Sequence, residues 1–353
     1  MSIVYIIFGI LLFGVLIAIH ELGHFSAAKL LGVQVNEFAI GMGPAILSRQ
    51  KGETLYSWRA LPFGGYCAME GEDEDSDNPM AFNSQSPWKR AVILVAGSFM
   101  NFLLGFILVL ALYANAAAFR APVLADFMDG CPYESEEAFQ INDRIVKIDG
   151  HRVYQYSDVG EFLSENETGI FDIVVRRGGE KVRLDGIKLV PVEYEGQETK
   201  MYGFYFGYDE ATLPVKLQYS WGTTMEFGRW VWKGLRMLTS GQVKMNDMSG
   251  PVGIVDLMAE TGESAASVAD GFLDILYLTA FIAVNLAIMN MLPLPALDGG
   301  RVFFLIVTWI IEAITGKKLD HKYEGYIHAA GMVLLLALMA VIMFNDIVKI
   351  VTK

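Results

Sequence analysis

The apolar sequence IVYIIFGILLFGVLIAI, Ile3–Ile19, runs directly into His20-Glu21-Leu22-Gly23-His24. The run carries no charge, and with its continuation to Leu31 it is long enough to cross a hydrocarbon core of about 30 Å. A cleaved signal peptide is the alternative, but no Lys or Arg precedes the run and no small-residue cleavage site follows it. We therefore predict that the first helix spans a membrane.

The composition of the 353-residue chain also favours a membrane protein. Hydrophobic residues make up 53% of the chain and charged residues 19%, which is too apolar for an ordinary soluble enzyme and excludes a disordered chain. The net charge of -13 argues against a nucleic-acid-binding protein, because such proteins need a basic surface to neutralise phosphates. The two cysteines, Cys67 and Cys131, cannot form a disulfide framework, and we expect no internal disulfide.

Three further apolar segments are long enough to span a membrane: Ala91–Ala118, Phe272–Leu297 and Ile327–Phe344. A shorter stretch, Val302–Ile314, predicts an interfacial or half-buried helix whose role the sequence does not define. The sequence therefore predicts a polytopic α-helical membrane protein with about four transmembrane helices.

The basic residues predict how the chain is oriented in the membrane. Cytoplasmic loops carry an excess of Lys and Arg, and here these residues fall in the first and third loops. They are Lys29, Arg49, Lys51, Arg59, Lys89 and Arg90 in the first loop, and Arg301, Lys317, Lys318 and Lys322 in the third. We expect both loops to be cytoplasmic, and the long polar region between the second and third spans to lie outside together with both termini.

The motif that follows the first apolar run has the spacing of a zinc site. A separation of four residues puts His20 and His24 on one face of a helix, where two imidazoles can share a tetrahedral zinc ion. Glu21 points off that face and can act as the general base toward a water that zinc activates. Ionisable residues inside a membrane favour a functional site. The alternative is that the three residues only cap the span at the interface.

A catalytic zinc ion needs a third protein ligand. The remaining histidines suit this role poorly, since one lies in the long polar region and we expect surface or structural roles for the other two: His151, His321 and His328. Asp298 is better placed, because it follows Pro293 and Pro295, which interrupt a span, and adjoins glycines that allow a close approach of backbone. The alternative is that the prolines simply end one helix and Asp298 caps the next.

Together these residues resemble the site-2 protease group of intramembrane zinc metalloproteases, in the bacterial RseP/RasP-like branch. The resemblance covers nearly the whole chain and rests on several motifs in a fixed order. They are His20 to His24, Pro62-Phe63-Gly64-Gly65-Tyr66, Ala96-Gly97 with Asn101, Gly250-Pro251-Val252-Gly253-Ile254, and Asn290 to Gly299. One departure is Ser98, where the family usually has Pro, and it puts only a local kink in doubt.

The resemblance implies a set of roles for individual residues. It makes Asp298 the third ligand of a single zinc ion, with Glu21 as the catalytic acid and base. It also implies that Asn290 hydrogen-bonds the main chain of the substrate near the metal. We further expect Pro293 and Pro295 to contribute to substrate binding.

The segment Glu53–Met69 in the first cytoplasmic loop predicts β-hairpin strands, because polar and apolar residues alternate before Gly64-Gly65. The edge of such a hairpin could pair with an extended substrate, so Gly64 and Gly65 are candidate substrate-binding residues. The resemblance implies a membrane-associated β-sheet at this place. An ordinary connecting hairpin is the alternative.

The long polar region resembles the PDZ module of these proteases. Phe139–Gly150 predicts a turn, a strand and an Asp-Gly turn, a helix follows around Ser157–Ser164, and Phe171–Glu180 predicts a strand that ends in a Gly-Gly hairpin. Asn142 stands where the family usually has Gly, so we expect it in the left-handed region that Asn tolerates. The chain has room for one PDZ domain, which we expect to exclude substrates with bulky outer domains.

We therefore expect four regions: 1–118 with the first two spans and the hairpin, 119–210 as the extracytoplasmic PDZ domain (α+β), 211–270 as an interfacial linker, and 271–353 with the last two spans. The function that we predict is zinc-dependent cleavage of single-span membrane proteins in the bacterial cytoplasmic membrane, towards its cytoplasmic side. An upstream site-1-type protease would first trim the substrate, which would be an anti-sigma-factor-like protein or a signal-peptide remnant. The alternatives are an inactive membrane scaffold, a metal-binding transporter, and a zinc peptidase for soluble substrates.

Overall fold

The computed structural model describes residues 2–72, 76–135, 138–194, 199–242, 249–316 and 322–352. The chain divides into two units, the first comprising residues 1–109 and 227–353 and the second comprising Leu110–Glu226. The helices are α1 (Ser2–Leu31), α2 (Pro87–Leu112), α3 (Tyr156–Glu165), α4 (Leu213–Thr239), α5 (Pro251–Ser264), α6 (Val268–Asn290), α7 (Asp298–Thr315) and α8 (Lys322–Thr352). The strands are β1 (Val35–Lys51), β2 (Thr54–Met69), β3 (Ala118–Phe127), β4 (Arg144–Ile148), β5 (His151–Arg152), β6 (Ile170–Arg177), β7 (Glu180–Lys188) and β8 (Phe204–Glu210).

Four helices of the described residues are long and apolar enough to cross a membrane, within α1, α2, α6 and α8. This confirms the predicted number of spans and the assignment to polytopic membrane proteins. Two predicted boundaries were wrong. The second apolar segment was expected to continue to Ala118, but α2 ends at Leu112 and Ala118 begins β3. The third was expected to continue to Leu297, but α6 ends at Asn290, because Pro293 and Pro295 cannot donate the backbone hydrogen bonds that would extend it.

The short apolar stretch Val302–Ile314 lies within α7, which begins at Asp298. The helix is not among the candidate spans of the described residues. It ends at Gly316, whose φ of 67° places it in the left-handed region and whose N–H donates to the carbonyl of Glu312 at 2.8 Å. Glycine is favoured at this position because it has no Cβ to strain the left-handed turn.

Strands β1 and β2 form an antiparallel hairpin between the first two spans. A hairpin was predicted here, but its bounds were wrong: Glu53–Met69 contributes only β2, with Gly64 and Gly65 inside that strand, and its partner is β1. The register begins at the pair Val35 and Met69, at the base, and the strands reverse between Lys51 and Thr54, at the tip. The two strands also fold over, because residues 38–40 of β1 pair on one side with residues 56–58 and on the other with residues 65–67 of β2. The base packs into a cluster in which α1, α2 and the hairpin meet. Its buried members are Ala28, Val33, Val35, Cys67, Met69, Phe82, Ile93 and Leu94. The hairpin is therefore anchored at its base.

The second unit contains a six-stranded sheet in the order β7-β6-β4-β3-β8, with β5 paired to β4. Its core includes Phe139, Ile145 and Phe171, each at most 2% exposed. The predicted turns are present: Asn142 has a φ of 71°, and Gly178 and Gly179 join β6 to β7 with φ of 58° and 93°. The predicted helix is α3.

Candidate metal centre

The two histidines of the first span converge on one point. His20 and His24 lie one turn apart on α1, with their Nε2 atoms 3.2 Å apart and their rings at 85° to each other. Both are buried, with exposures of 9% and 7%. The helical spacing of four residues thus produces the paired imidazoles that the sequence predicted.

Asp298, at the start of α7, completes the cluster from the other end of the sequence. Its Oδ2 lies 3.1 Å from Nε2 of His20 and 3.4 Å from Nε2 of His24. The three candidate ligand atoms lie within 4.8 Å of one another. Two imidazole nitrogens and one carboxylate oxygen are the donor set of a catalytic zinc site with one position open for water. The three side chains therefore fit a zinc ion both in their chemistry and in their convergence.

Helix α2 presses against the same face of α1. An added Cβ at Gly23 would lie in contact with the carbonyl of Ala96 and 2.8 Å from the Cα of Gly97. In return, an added Cβ at Gly97 would contact Nε2 of His24 and lie 2.8 Å from Cε1 of His20. The two glycines therefore allow the helices to meet at the imidazoles. The sequence showed Ala96-Gly97 as part of a motif but did not reveal this steric role.

The second ring nitrogen of each histidine also faces α2. Nδ1 of His24 lies 2.9 Å from the carbonyl oxygen of Ile93, to which it donates when Nε2 binds a metal. The side-chain amide of Asn101 lies 3.4 Å from Nδ1 of His20. No role for Ile93 could be predicted from the sequence, because every residue has a backbone carbonyl and the residue type does not show which one accepts a hydrogen bond. Asn101 could have been found as the polar residue in the middle of an apolar helix.

Glu21 lies beside the candidate metal ligands and next to strand β2 of the hairpin. It follows His20 directly on α1 and precedes His24 by three residues, so the three side chains lie within about one helical turn. An added Cβ at Gly65 in β2 would lie 2.9 Å from the carbonyl oxygen of Ala39 in β1 and 3.5 Å from Cγ of Glu21. Glycine at this position therefore allows β2 to pack closely against both β1 and the candidate base.

Polar contacts bind the two strands of the hairpin near this point. The carboxylate of Glu37 accepts hydrogen bonds from Ser57 at 2.6 Å and from Arg59 at 2.7 Å. Partial burial alone would raise the pKa of Glu37, but hydrogen bonds from Ser57, Tyr66 and Arg59 together lower it. Glu37 therefore stays ionised, and its hydrogen bonds connect β1 to β2. Burial raises the pKa of the Cys67 thiol, which keeps this thiol neutral.

The turn between α6 and α7 contains the remaining candidate residues. Asn290 is the last residue of α6, and Pro293 and Pro295 follow it before Asp298. An added Cβ at Gly299 would contact the carbonyl of Met291, so the turn folds tightly back on the end of α6. The substrate-binding roles of Asn290, Pro293 and Pro295 stay predictions.

The structure also shows the contacts of two residues named in the sequence analysis, Arg301 and His151. Arg301, three residues after Asp298, forms an ion pair with Glu72 in the segment after β2. His151 stacks on Phe162 with ring centroids 5.3 Å apart. His321 lies outside the described residues.

Comparison with known proteins identifies the family. The model of peptidase family M50 matches residues 8–338, which is most of the chain. The chain belongs to peptidase family M50. The M50 chain is 36% identical to a protein of Clostridium acetobutylicum named as a zinc metalloprotease, over 99% of this chain and 98% of that protein. It is therefore a polytopic membrane metalloprotease of the site-2 type, with zinc as its cofactor.

Two other relatives carry the name RasP. The M50 chain is 30% identical to the zinc metalloprotease RasP of Oceanobacillus iheyensis, over 97% of this chain and 98% of that one. It is 27% identical to the regulator of sigma-W protease RasP of Bacillus subtilis, over 97% of each. These alignments extend over 430 and 425 positions, so the two RasP proteins contain segments that the 353-residue chain lacks.

Proposed function

We propose that His20, His24 and Asp298 hold one catalytic zinc ion and that Glu21 is the general base of peptide-bond hydrolysis. The observation that carries this proposal is the convergence of two imidazole nitrogens and one carboxylate oxygen within 4.8 Å, next to Glu21 in the sequence. These ligands come from α1 and α7, at opposite ends of the chain, and Asp298 Oδ2 is buried. A carboxylate oxygen in that position needs a cation nearby.

The residues divide the chemistry among them. The zinc ion that His20, His24 and Asp298 would hold would polarise the scissile carbonyl and lower the pKa of water, so that water could attack near neutral pH. Glu21 accepts the proton of the attacking water at its carboxylate and returns it to the departing amine. Gly65 packs closely on the hairpin side of the centre, because an added Cβ there would lie 2.9 Å from the carbonyl oxygen of Ala39 and 3.5 Å from Cγ of Glu21.

The hydrogen-bonding partners on α2 set the tautomer of the ligands. Zinc on Nε2 requires the ring proton on Nδ1. For His24 the Nδ1–H group donates a hydrogen bond to the carbonyl oxygen of Ile93. For His20 the Nδ1–H group donates to the side-chain oxygen of Asn101 once the amide is flipped, and that oxygen otherwise has no hydrogen-bond partner. Asn101 therefore orients His20 as a metal ligand.

The substrate class that we propose is single-span membrane proteins, cut within or near the transmembrane helix towards the cytoplasmic side. The name of the Bacillus subtilis relative supports anti-sigma-factor-like substrates, and signal-peptide remnants are the other candidates. A helical backbone is closed to attack because its carbonyls are hydrogen-bonded, so the substrate must unwind. The edge of β2 at Gly64 and Gly65 would pair with the extended strand, and Asn290, Pro293 and Pro295 would line its path.

The remaining expectations belong to the same proposal. The sheet and helix of the second unit would form a single PDZ domain (119–210) outside the bacterial cytoplasmic membrane, with both termini also outside. Its role would be to select substrates already trimmed by an upstream protease. The turns at Asn142 and Gly178-Gly179 support the resemblance on which this rests.

The test of the centre is a pair of substitutions in the purified full-length protein. Glu21→Gln should keep one zinc ion per chain and lower cleavage of a single-span model substrate by about 10²- to 10⁴-fold, because the ligands remain and the base does not. Asp298→Ala should lower the zinc content itself. Glu53→Gln is the matched control, since Glu53 pairs with Lys29 near the hairpin tip. Full activity in Glu21→Gln, or stoichiometric zinc in Asp298→Ala, would contradict the assignment.

A further inference from the structure

The last candidate span, α8, contacts the described part of the protein along a single stripe. Most of its described side chains are exposed, and those that are at least partly buried include His328, Gly331, Leu335, Ile342 and Asp346. Their spacing of three, four and seven residues places them on one helical face. Two members of this stripe, His328 and Asp346, are polar. A polar residue that faces protein from within a span is a candidate for a specific role.

His328 reaches the turn that carries Asp298. Its Nδ1 accepts a hydrogen bond from the backbone N–H of Ala296 at 3.2 Å, two residues before Asp298. The ring is held on its other side by Phe304 of α7, with centroids 5.4 Å apart and an interplanar angle of 74°. One turn further along α8, an added Cβ at Gly331 would contact Pro295. The helix therefore touches the turn at two adjacent residues.

The backbone of this turn depends on that contact. The N–H groups of Leu292, Leu294 and Leu297 donate to carbonyls three or fewer residues away, at 3.1, 2.7 and 3.2 Å. Proline has no N–H to donate. The N–H of Ala296 instead donates to a side chain of another helix. Ala296 is partly buried, and a backbone N–H that is shielded from water without an acceptor would be costly.

Ala296 also has a backbone conformation that needs support. Its φ of 75° lies in the left-handed region, where a residue with a Cβ is strained. Strained backbone persists only where its surroundings determine it. The hydrogen bond to His328 and the packing of Pro295 against Gly331 hold this strained backbone in place. The backbone conformation at Ala296 in turn sets the direction in which α7 starts.

We propose that His328 is a positioning residue for the metal centre, which holds Ala296 so that the carboxylate of Asp298 points at His20 and His24. It does not touch the metal or the substrate. The inference rests on the proposed function, in which Asp298 is a zinc ligand. Metal sites tolerate errors of about 0.2 Å in ligand distance, so a small shift of this turn is enough to weaken binding.

The experiment compares three variants of the purified full-length protein. His328→Phe keeps a ring for Phe304 but has no acceptor for the N–H of Ala296. His328→Asn places its side-chain oxygen close to the position of Nδ1 and keeps the acceptor. Leu335→Ala, on the same stripe, removes packing without removing a hydrogen bond. The measurements are the rate of zinc loss to a chelator, kcat and KM for a single-span model substrate, and the melting temperature after zinc removal.

We expect His328→Phe to lose zinc about 10- to 100-fold faster than the wild type, which is the usual effect of losing a residue that orients a metal ligand. The variant should also have a lower kcat with little change in KM. His328→Asn should recover most of the zinc retention, and Leu335→Ala should retain zinc as the wild type does. The zinc-free His328→Phe and Leu335→Ala proteins should melt at similar temperatures, so that faster zinc loss in His328→Phe is not general unfolding.

Three outcomes would overturn the inference: wild-type zinc retention in His328→Phe, equal losses in His328→Phe and His328→Asn, or equally fast loss in Leu335→Ala. The failure of this inference is separable from failure of the proposed function. If Asp298→Ala keeps its zinc, the ligand assignment fails. If Asp298→Ala loses zinc and His328→Phe does not, only the positioning role fails.

Discussion

Gly97 provides the strictest test of how the metal centre is built. A methyl group at this position of α2 would lie 2.7 Å from Cε1 of His24 and 2.8 Å from Cε1 of His20, and in contact with Nε2 of His24. Carbon atoms in ordinary contact are about 3.5–4.0 Å apart, so each imidazole would have to retreat by about 1 Å. The helices cannot separate to make room without losing the close contact of Gly23 with the backbone of α2.

The substitution Gly97→Ala should therefore displace both histidine ligands by several times the tolerance of a zinc site, which is about 0.2 Å. We expect less than one zinc ion per chain and a loss of turnover of about 10²-fold, the usual effect of a 1 Å misplacement. Zinc per chain is measured by elemental analysis of the purified protein, and turnover with a single-span model substrate.

Gly105→Ala is the matched control on the same helix. A methyl group there would lie 2.7 Å from Cγ2 of Val284 and 3.0 Å from the carbonyl oxygen of Ala280, which is similar crowding, but against α6. It should lower the melting temperature and leave the zinc content unchanged. One zinc ion per chain with wild-type turnover in Gly97→Ala would refute the reasoning. Equal zinc loss in both variants would assign the effect to helix packing rather than to the imidazoles.

Two other predictions follow from contacts of the described residues, and a third follows from the proposed role of the second unit. Arg301→Glu should speed zinc loss and lower turnover, because the ion pair of Arg301 with Glu72 connects the start of α7 to the segment after β2. The double variant Arg301→Glu/Glu72→Arg, which exchanges the two charges, should partly restore both properties. Additive losses in a double-mutant cycle of cleavage rates would contradict this. Asp346→Ala should lower the free energy of unfolding by roughly 1–3 kcal/mol, since Asp346 accepts hydrogen bonds from the N–H groups of Gly250 and Gly253 at 2.9 Å each. An unchanged denaturant midpoint would count against this role of Asp346. Deletion of residues 121–207 should allow cleavage of untrimmed substrates, which is measured on matched long and short substrates. If the variant still requires trimmed substrates, that segment does not select them.

Much of the fold could be predicted from the sequence, because the relevant signals are local. Apolar runs of sufficient length define the spans, and the four-residue spacing of His20 and His24 places them together without knowledge of anything else in the chain. Turn chemistry was equally local: Asn142 adopts the left-handed conformation that was expected of it. Helix ends were less predictable, since Ala118 is apolar enough to continue α2 but pairs with Glu210 in a sheet.

What the sequence could not show are the contacts between distant elements. Gly97 has the same residue type as the other glycines of the apolar helices, and only the packing of α2 on α1 shows that its missing Cβ makes space for two imidazoles. His328 appeared to be a surface or structural residue, because nothing near it in the sequence indicates that it accepts a hydrogen bond from Ala296. Such roles depend on which helix face meets which, and residue order does not encode that directly.

The metal centre consequently depends on supports from two sides. His20 and His24 belong to one helix, and α2 holds them through Gly97, Asn101 and the carbonyl of Ile93. Asp298 reaches them only because the turn after α6 folds back tightly on that helix. Since the two sides are far apart in the sequence, no local element can build the site alone. A zinc ion that binds all three ligands therefore stabilises the packing of α7 against α1 by the free energy of its own binding.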